Sequence, residues 1–260
     1  MVAGGRHADL MWDAVTRAAH GAKRAAQDVA RAVVPVACPG CGALDVLWCD
    51  ECEALWWEPP FRAESAAGRL DLLDRAVMPV WAVAPLTGPA HGMVAAWKDG
   101  GRRDLDALME AAIARAAGTE PVAAALARIP GPITVIPAPA RATSTRRRGV
   151  DLPLLLARAV ATALRDAGVD AACTPALSIG GTSSRRQSAR ERWRGASTSV
   201  APGVHPERTG PAVIVDDVLT TGATLAGCVR AWEAAGGTVL AGLVLAVAQP
   251  LPSGRKVGLM

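Results

Sequence analysis

The stretch Ala212-Val-Ile-Val-Asp-Asp-Val-Leu-Thr-Thr-Gly-Ala-Thr224 decides the fold class of this 260-residue chain. Its apolar, mostly β-branched start predicts a buried parallel strand, and the residues from Leu225 to Ala235 predict a helix. Between them lies a tight turn, at the positive end of the helix dipole. Backbone N–H groups and hydroxyls in such a turn bind phosphate. We therefore expect a phosphate-binding loop formed by Thr220, Thr221, Gly222, Ala223 and Thr224.

The paired acids Asp216 and Asp217 need a ligand group other than the phosphate, because their negative charges would repel it. Vicinal hydroxyls of a ribose suit them, since a carboxylate accepts hydrogen bonds from both. A Walker-B-like strand would also end in paired acids, and so would a pair that merely caps the helix. The first needs a glycine-rich loop that ends in Gly-Lys-Ser/Thr, and the chain contains no Gly-Lys pair. The second leaves the three threonines unexplained.

This segment resembles the 5-phosphoribosyl-1-pyrophosphate (PRPP) signature of the type I phosphoribosyltransferases, in which a hydrophobic strand leads into Asp-Asp, two apolar residues and Thr-Thr-Gly-x-Thr. The match is unbroken over residues 212–224. The resemblance implies that Asp216 and Asp217 contact the ribose hydroxyls and take part in catalysis. It also implies that the threonine-glycine loop holds the 5′-phosphate, and that Mg²⁺ accompanies PRPP.

Composition favours a folded, soluble protein. Apolar residues make up 51% of the chain and charged residues 20%, which allows a packed core and argues against disorder. The net charge of +4 is too small to imply nucleic acid by itself. No apolar stretch approaches the roughly 18 to 20 residues that span a bilayer, and the N-terminus shows no secretory signal. We expect a cytoplasmic protein without membrane contact.

Four of the six cysteines form two Cys-x-x-Cys pairs, which are Cys38, Cys41, Cys49 and Cys52. Four thiolates at this spacing suit tetrahedral zinc in a closed, structural site. Two disulfides would suit a secreted protein. A thioredoxin-like motif would normally be single and would precede a helix of a βαβ unit. We expect structural zinc, and we expect Cys173 and Cys228 to be small buried apolar residues.

Alternating strand and helix patterns predict an α/β fold, a parallel sheet flanked by helices. An amphipathic helix is expected near the N-terminus, within residues 1–33, followed by the zinc module at 34–58 and a linker at 59–76. The phosphoribosyltransferase-like domain is expected at 77–249 and a tail at 250–260. Predicted strands lie at 77–85, 133–136, 171–179, 212–215 and 238–248, and predicted helices at 92–117 (broken near 100–101), 152–166 and 224–235.

Two arginine-rich stretches follow predicted strands, and we expect both to be loops. The first runs from Pro139 to Gly149, and the second begins at Gly180 and carries Arg185, Arg186, Gln187, Arg190, Arg192 and Arg194. Most of these arginines suit solvated basic loops, but some could neutralise a pyrophosphate through bidentate contacts. A mobile basic loop over the site would also exclude water.

The order of these motifs narrows the resemblance. The zinc-type knuckles precede Ala96-Trp-Lys-Asp-Gly-Gly101, then Ile136-Pro-Ala-Pro-Ala-Arg141 with Arg148-Gly149, and then the PRPP motif. This order is similar to that of the ComF/GntX family, phosphoribosyltransferase-like proteins associated with competence for DNA uptake. The resemblance places Lys98 in the lysine-glycine segment after the first strand. It implies a pyrophosphate loop that includes Ala138, Pro139, Ala140, Arg141 and Arg148, and a flexible loop that includes Arg185, Arg186, Gln187 and Arg190.

The sequence leaves three functions open. The first is Mg²⁺-dependent transfer of phosphoribose from PRPP to a nitrogen nucleophile, with release of pyrophosphate. No general base stands out among the four histidines. The second is a PRPP or nucleotide sensor without turnover, and the third is a DNA-uptake accessory protein that binds single-stranded DNA or protein partners. A DNA-binding surface would want aromatic residues among the arginines, and only Trp193 lies there. The sequence does not identify the acceptor. It is compatible with a homo-oligomer but does not determine the oligomeric state.

Overall fold

A computed structural model of the chain describes residues 36–66, 78–179 and 198–248. Its centre is a sheet of six strands, which are β1 (Phe61–Arg62), β2 (Val80–Pro85), β3 (Ile133–Pro137), β4 (Ala171–Cys173), β7 (Ala212–Leu219) and β8 (Val239–Val247). Their order across the sheet is β1-β2-β8-β7-β3-β4. Strand β1 pairs antiparallel with β2, and the other neighbours are parallel. The expected α/β class with a parallel sheet is confirmed.

The two central strands are the long, nearly continuous apolar segments of the sequence. Strands β7 and β8 are eight and nine residues long, and almost all of their side chains are buried. A parallel strand covered on both faces needs such a run, because neither side of it meets water. Strand β7 continues to Leu219 rather than ending at Val215. The motif's acidic pair therefore lies inside the strand and not in the loop after it.

Within the described residues, four helices cover one face of the sheet. They are α2 (Gly88–Lys98), α3 (Asp106–Gly118), α4 (Val122–Ala127) and α6 (Leu152–Asp166). Asp151 caps α6 by accepting a hydrogen bond from the backbone N–H of Leu154 at 3.1 Å. The buried side chains of α6 recur at helical spacing and form one core with α3 and with Val213, Val215 and Leu243 of the sheet.

The opposite face carries a long helix and a small hairpin. Helix α7 (Ala223–Ala234) buries Leu225, Val229 and Trp232 against a second apolar core. The hairpin joins β5 (Leu177–Ile179) to β6 (Thr198–Val200) in a separate two-stranded sheet. We expected one strand over residues 171–179, but the chain leaves the main sheet after Cys173 and re-forms as β5.

The cysteine segment belongs to the same core as the first helical layer. It contains an isolated bridge between Ala37 and Leu44, and the short helix α1 (Asp50–Ala54). Trp56 is fully buried and its indole N–H lies 3.2 Å from the sulfur of Met93 on α2. In the segment we expected to be a linker, β1 adds an edge strand to the sheet.

The first arginine-rich stretch is a helix and not an open loop. Residues Ala142–Arg148 form α5, which ends at Gly149 with a left-handed φ of +73°. The segments expected to be an N-terminal helix, a second arginine-rich loop and a C-terminal tail lie outside the described residues. Among the helices that the structure describes, none has the length and apolar character to cross a membrane.

Candidate functional site

The acidic pair lies near the carboxyl end of the central strand β7. Asp216 is paired in register with Val244 of β8, and both aspartates are buried, each with 7% of its surface exposed. Successive side chains of a strand point to opposite faces. The side chain of Asp217 lies on the same face as Val213 and Val215, which the four helices cover. The side chain of Asp216 lies on the same face as Ala212 and Ile214, which α7 covers. The two carboxylates therefore have different surroundings.

Asp217 is neutralised by a lysine from the first helical layer. Lys98 is the last residue of α2, and its Nζ lies 2.8 Å from Oδ2 of Asp217. Both side chains are largely shielded, with 22% and 10% exposed. A cation at a helix C-terminus is also favoured by the helix dipole. The ion pair therefore places the ammonium group of Lys98 against a buried carboxylate.

Asp216 has no such partner in the described part of the chain. Its Oδ1 accepts a hydrogen bond from the backbone N–H of Asp217 at 2.8 Å. Burial, and next the negative charge of Asp217, raise the pKa of Asp216 well above its usual range. Burial raises the pKa of Cys228 on α7, and the nearby Asp216 adds to that increase. Burial therefore disfavours the charged form of the Asp216 carboxyl.

The threonine-glycine turn joins β7 to α7 as the motif predicts. Gly222 is the N-cap, with a left-handed φ of +77° that favours glycine. The first helical bond runs from the N–H of Ala226 to the carbonyl of Gly222 at 2.9 Å. The N–H groups of the preceding turn consequently have no helical acceptor. Thr220, Thr221 and Thr224 are exposed around these amides, which is a suitable arrangement for a phosphate.

The segment expected to bind pyrophosphate follows the neighbouring strand β3. The N–H of Ala138 donates to the carbonyl of Val215 at 2.7 Å, so the segment starts beside the acidic pair. Ala138 is buried, Pro139 and Ala140 are partly exposed, and Arg141 is exposed. The structure therefore brings residues 138–141 and the β7–α7 turn to the same edge of the sheet.

The arginines at the end of α5 contact the last residue of α2 and Asp99, which follows it. Arg148 donates from Nε to the carbonyl of Lys98 at 2.6 Å, and the guanidinium groups of Arg147 and Arg148 lie 2.8 and 3.3 Å from Oδ1 of Asp99. Arg148 is thus hydrogen-bonded to the backbone of Lys98 and does not extend toward a ligand. Of the residues expected in the flexible loop, Arg185, Arg186, Gln187 and Arg190 lie outside the described residues.

The four cysteines of the knuckles meet in one cluster. Their Sγ atoms lie within 4.8 Å of one another, and Cys49 Sγ is 3.5 Å from Cys41 Sγ and 3.9 Å from Cys38 Sγ. Tetrahedral zinc with Zn–S bonds of about 2.3 Å requires sulfurs about 3.8 Å apart, whereas a disulfide requires about 2.05 Å. The cluster therefore fits a four-thiolate metal site, and all four cysteines are free thiols.

Backbone hydrogen bonds around the knuckles lower the pKa of one thiol, which favours metal binding. Burial alone would raise the pKa of Cys38, but backbone hydrogen bonds from Cys41, Cys49 and Gly40 lower it to about 6. Burial and the neighbouring thiols raise the pKa of Cys52 instead. A bound cation would replace these competing effects, since metal binding deprotonates its thiol ligands. Within the described residues this cluster is the one group of three or more ligating side chains that converges.

Two features of the site could not be found from the sequence. The ion pair between Lys98 and Asp217 joins residues far apart in the chain, and only the Lys-Asp-Gly-Gly segment drew attention to Lys98. The bracing of Lys98 by Arg148, and of Arg147 and Arg148 by Asp99, had no local signal at all.

A scan of known protein-family models gives no match for the chain, and a search of curated proteins also gives none.

Proposed function

We propose that this chain is a ComF-like member of the type I phosphoribosyltransferase group, which binds PRPP with Mg²⁺ and transfers phosphoribose to a nitrogen nucleophile. The observation that carries the proposal is the β7–α7 junction. There an acidic pair, a threonine-glycine turn and the unbonded amides of a helix start converge at the carboxyl edge of a parallel sheet. Ligands of open α/β sheets bind at that edge.

Each part of the junction has a separate task in this proposal. The amides of the first turn of α7, with Thr220, Thr221 and Thr224, hold the 5′-phosphate. Asp216 and Asp217 accept hydrogen bonds from the ribose hydroxyls. Lys98, once its bond to Asp217 is exchanged, supplies positive charge for the departing pyrophosphate. Mg²⁺ would bind together with the diphosphate and neutralise the charge of its oxygens.

The four cysteines have a structural task. Cys38, Cys41, Cys49 and Cys52 would hold zinc in a closed site, which leaves no coordination position for a reacting water. Their segment contacts the back of α2, whose C-terminus carries Lys98. The metal would therefore stabilise the helix that supplies a cation to the ligand site.

Isothermal titration with PRPP and Mg²⁺ tests the proposal. We expect binding by the unchanged chain and its loss in the Asp216→Asn/Asp217→Asn double variant. Thr221→Ala should weaken binding by about 1.5 to 3 kcal/mol, the usual contribution of a hydrogen bond to a charged group. Thr162→Ala is the matched control, because Thr162 is exposed on α6 about three turns from the site-facing end of that helix.

The outcomes separate the alternatives. Absence of binding, or equal binding by the double variant, would end the PRPP proposal. Pyrophosphate release with an added nitrogen nucleophile would establish turnover. Binding without any release would favour a sensor. A strongly salt-dependent affinity for single-stranded DNA, abolished by changing Arg185 and Arg186, would instead favour a role in DNA handling.

A further inference from the structure

A cleft of about 400 Å³ opens at the carboxyl end of β3, next to the strand that carries the acidic pair. It lies between the segment after β3, the start of α6, and the strand β5. Three prolines, Pro137, Pro139 and Pro175, form much of its wall together with Leu154, Leu177 and Ile179. A pocket of this size accommodates a small organic ligand, and the proline rings that line it are already rigid before binding.

The polar groups of the cleft differ in how far they are already engaged. Asp151 accepts the helix-capping bond from Leu154, and the hydroxyl of Ser178 lies 3.3 Å from that of Ser199. Arg141 is exposed at the cleft, and among the described residues its guanidinium has no hydrogen-bond or ion-pair partner. The cleft therefore combines rigid proline walls with one available guanidinium, which pairs with a carboxylate in bidentate geometry. The carboxylate of the cleft itself, Asp151, is engaged in the helix cap.

We propose that this cleft binds the acceptor, a planar nitrogen heterocycle that carries a carboxylate, with the ring between the proline walls and the carboxylate on Arg141. Arg141 would then select the acceptor rather than hold the pyrophosphate. The inference rests on the proposed function for the identity of the donor. The binding of the carboxylate itself depends only on the cleft.

The cleft is placed where an acceptor has to be. Ala138 lines the cleft and donates its N–H to the carbonyl of Val215, the residue before Asp216. A ligand in the cleft is thus one strand away from a ribose held by the acidic pair. In the transfer, the lone pair of a ring nitrogen forms a bond to C1 of phosphoribose. The bond from C1 to the pyrophosphate oxygen breaks, and that oxygen keeps the electron pair.

Nicotinate and nicotinamide are matched probes, because they share the pyridine ring and differ in the carboxylate. Saturation-transfer NMR and titration of the full chain without PRPP should show binding of nicotinate and at least tenfold weaker binding of nicotinamide, about the difference that one charge-assisted pair makes. Arg141→Gln should remove that preference. Arg146→Gln is the matched control, because Arg146 is exposed on α5 and does not line the cleft. Thermal unfolding of both variants checks that the fold is retained.

Several outcomes would overturn the inference. Equal binding of the two probes, no binding of either, or an equal effect of Arg141→Gln and Arg146→Gln would each do so. So would weakened PRPP binding in Arg141→Gln with nicotinate binding unchanged. Nicotinate selectivity in a chain that does not bind PRPP would support the cleft and end the proposed function. PRPP binding without nicotinate selectivity would do the reverse.

Discussion

Asp216 and Asp217 are adjacent in sequence but have different electrostatic surroundings, because the strand turns them to opposite faces. Asp217 meets the ammonium group of Lys98, while Asp216 is buried on the side of α7 near Cys228. Two buried carboxylates this close cannot both ionise without a compensating cation. Lys98 pairs directly with Asp217, and burial together with the charge of Asp217 raises the pKa of Asp216.

The pKa of Asp216 predicts a particular dependence of stability on pH. An acid whose pKa is higher in the folded state favours folding while protonated, and that contribution is lost as the pH rises above about 4, the unfolded pKa. Asp216→Asn removes this loss. We therefore expect the free energy of unfolding of Asp216→Asn to exceed that of the unchanged chain by an amount that grows as the pH rises above about 4, measured by urea titration without ligand.

Asp170→Asn serves as the control for this pH series, because Asp170 is exposed beyond the other end of the sheet. Its difference from the unchanged chain should stay flat across the same range. A difference for Asp216→Asn that is flat, or that shrinks as the pH rises, would show that the pKa of Asp216 is not raised in the folded state.

Helix α2 connects the cysteine cluster to the ligand site. Its middle, at Gly92, lies directly against the backbone of Pro39 in the first knuckle, and its last residue, Lys98, reaches Asp217. The knuckle is itself close-packed, since a methyl group at Gly40 would come within 2.7 Å of Cys52 Sγ. Displacing the knuckle should therefore shift the helix that carries Lys98.

Gly92→Ala tests the contact between the knuckle and α2. Alanine normally stabilises a helix interior relative to glycine by about 1 kcal/mol. Here its methyl group would collide with the carbonyl of Pro39, which should destabilise the protein by about 1 to 3 kcal/mol in urea unfolding. Gly118→Ala, whose methyl group would lie 3.7 Å from the carbonyl of Ala163, should not be destabilised. Equal effects of the two substitutions would refute the close contact.

The cysteine module and the sheet share one apolar core, and this has consequences for unfolding. Cys38, Cys52 and Trp56 belong to the same cluster as Trp97 of α2 and Leu156 of α6. Arg102 adds polar contacts, since its guanidinium donates to the carbonyl of Leu47 at 2.9 Å and pairs with Asp104. Because the module shares its core with the sheet, we expect the two to unfold together.

Chelation and metal analysis test this expectation. Freshly purified protein should contain about one equivalent of zinc, and its removal should lower the free energy of unfolding, because structural zinc contributes on the order of 10 kcal/mol to small modules. Cys38→Ser should reproduce that loss, whereas Cys173→Ser, outside the cluster, should not. Less than about half an equivalent of zinc would contradict the metal site. Separate urea transitions by tryptophan fluorescence and circular dichroism would contradict the shared core.

The parts of the fold that are local in sequence could be predicted, and the parts that depend on distant contacts could not. The bounds of α6, Leu152–Asp166, follow from helical spacing with an aspartate cap and a glycine after the end. The stretch from Ala142 to Arg148 was expected to be a loop, because it leaves the carboxyl end of a predicted strand. It is a helix whose last two arginines pair with Asp99, the residue after α2. Similarly, β1 is a two-residue strand that only the neighbouring β2 defines.

The sequence by itself determined the α/β class, the strand–turn–helix of residues 212–224 and the grouping of the cysteines, because each depends on the order of neighbouring residues. The tertiary structure alone decided that Asp216 and Asp217 face different surroundings, that Lys98 reaches Asp217, and that a cleft forms beside Ala138. These depend on which strands become neighbours and how helices pack over them. Burial and charge at a given residue are set by side chains that lie far away in the chain.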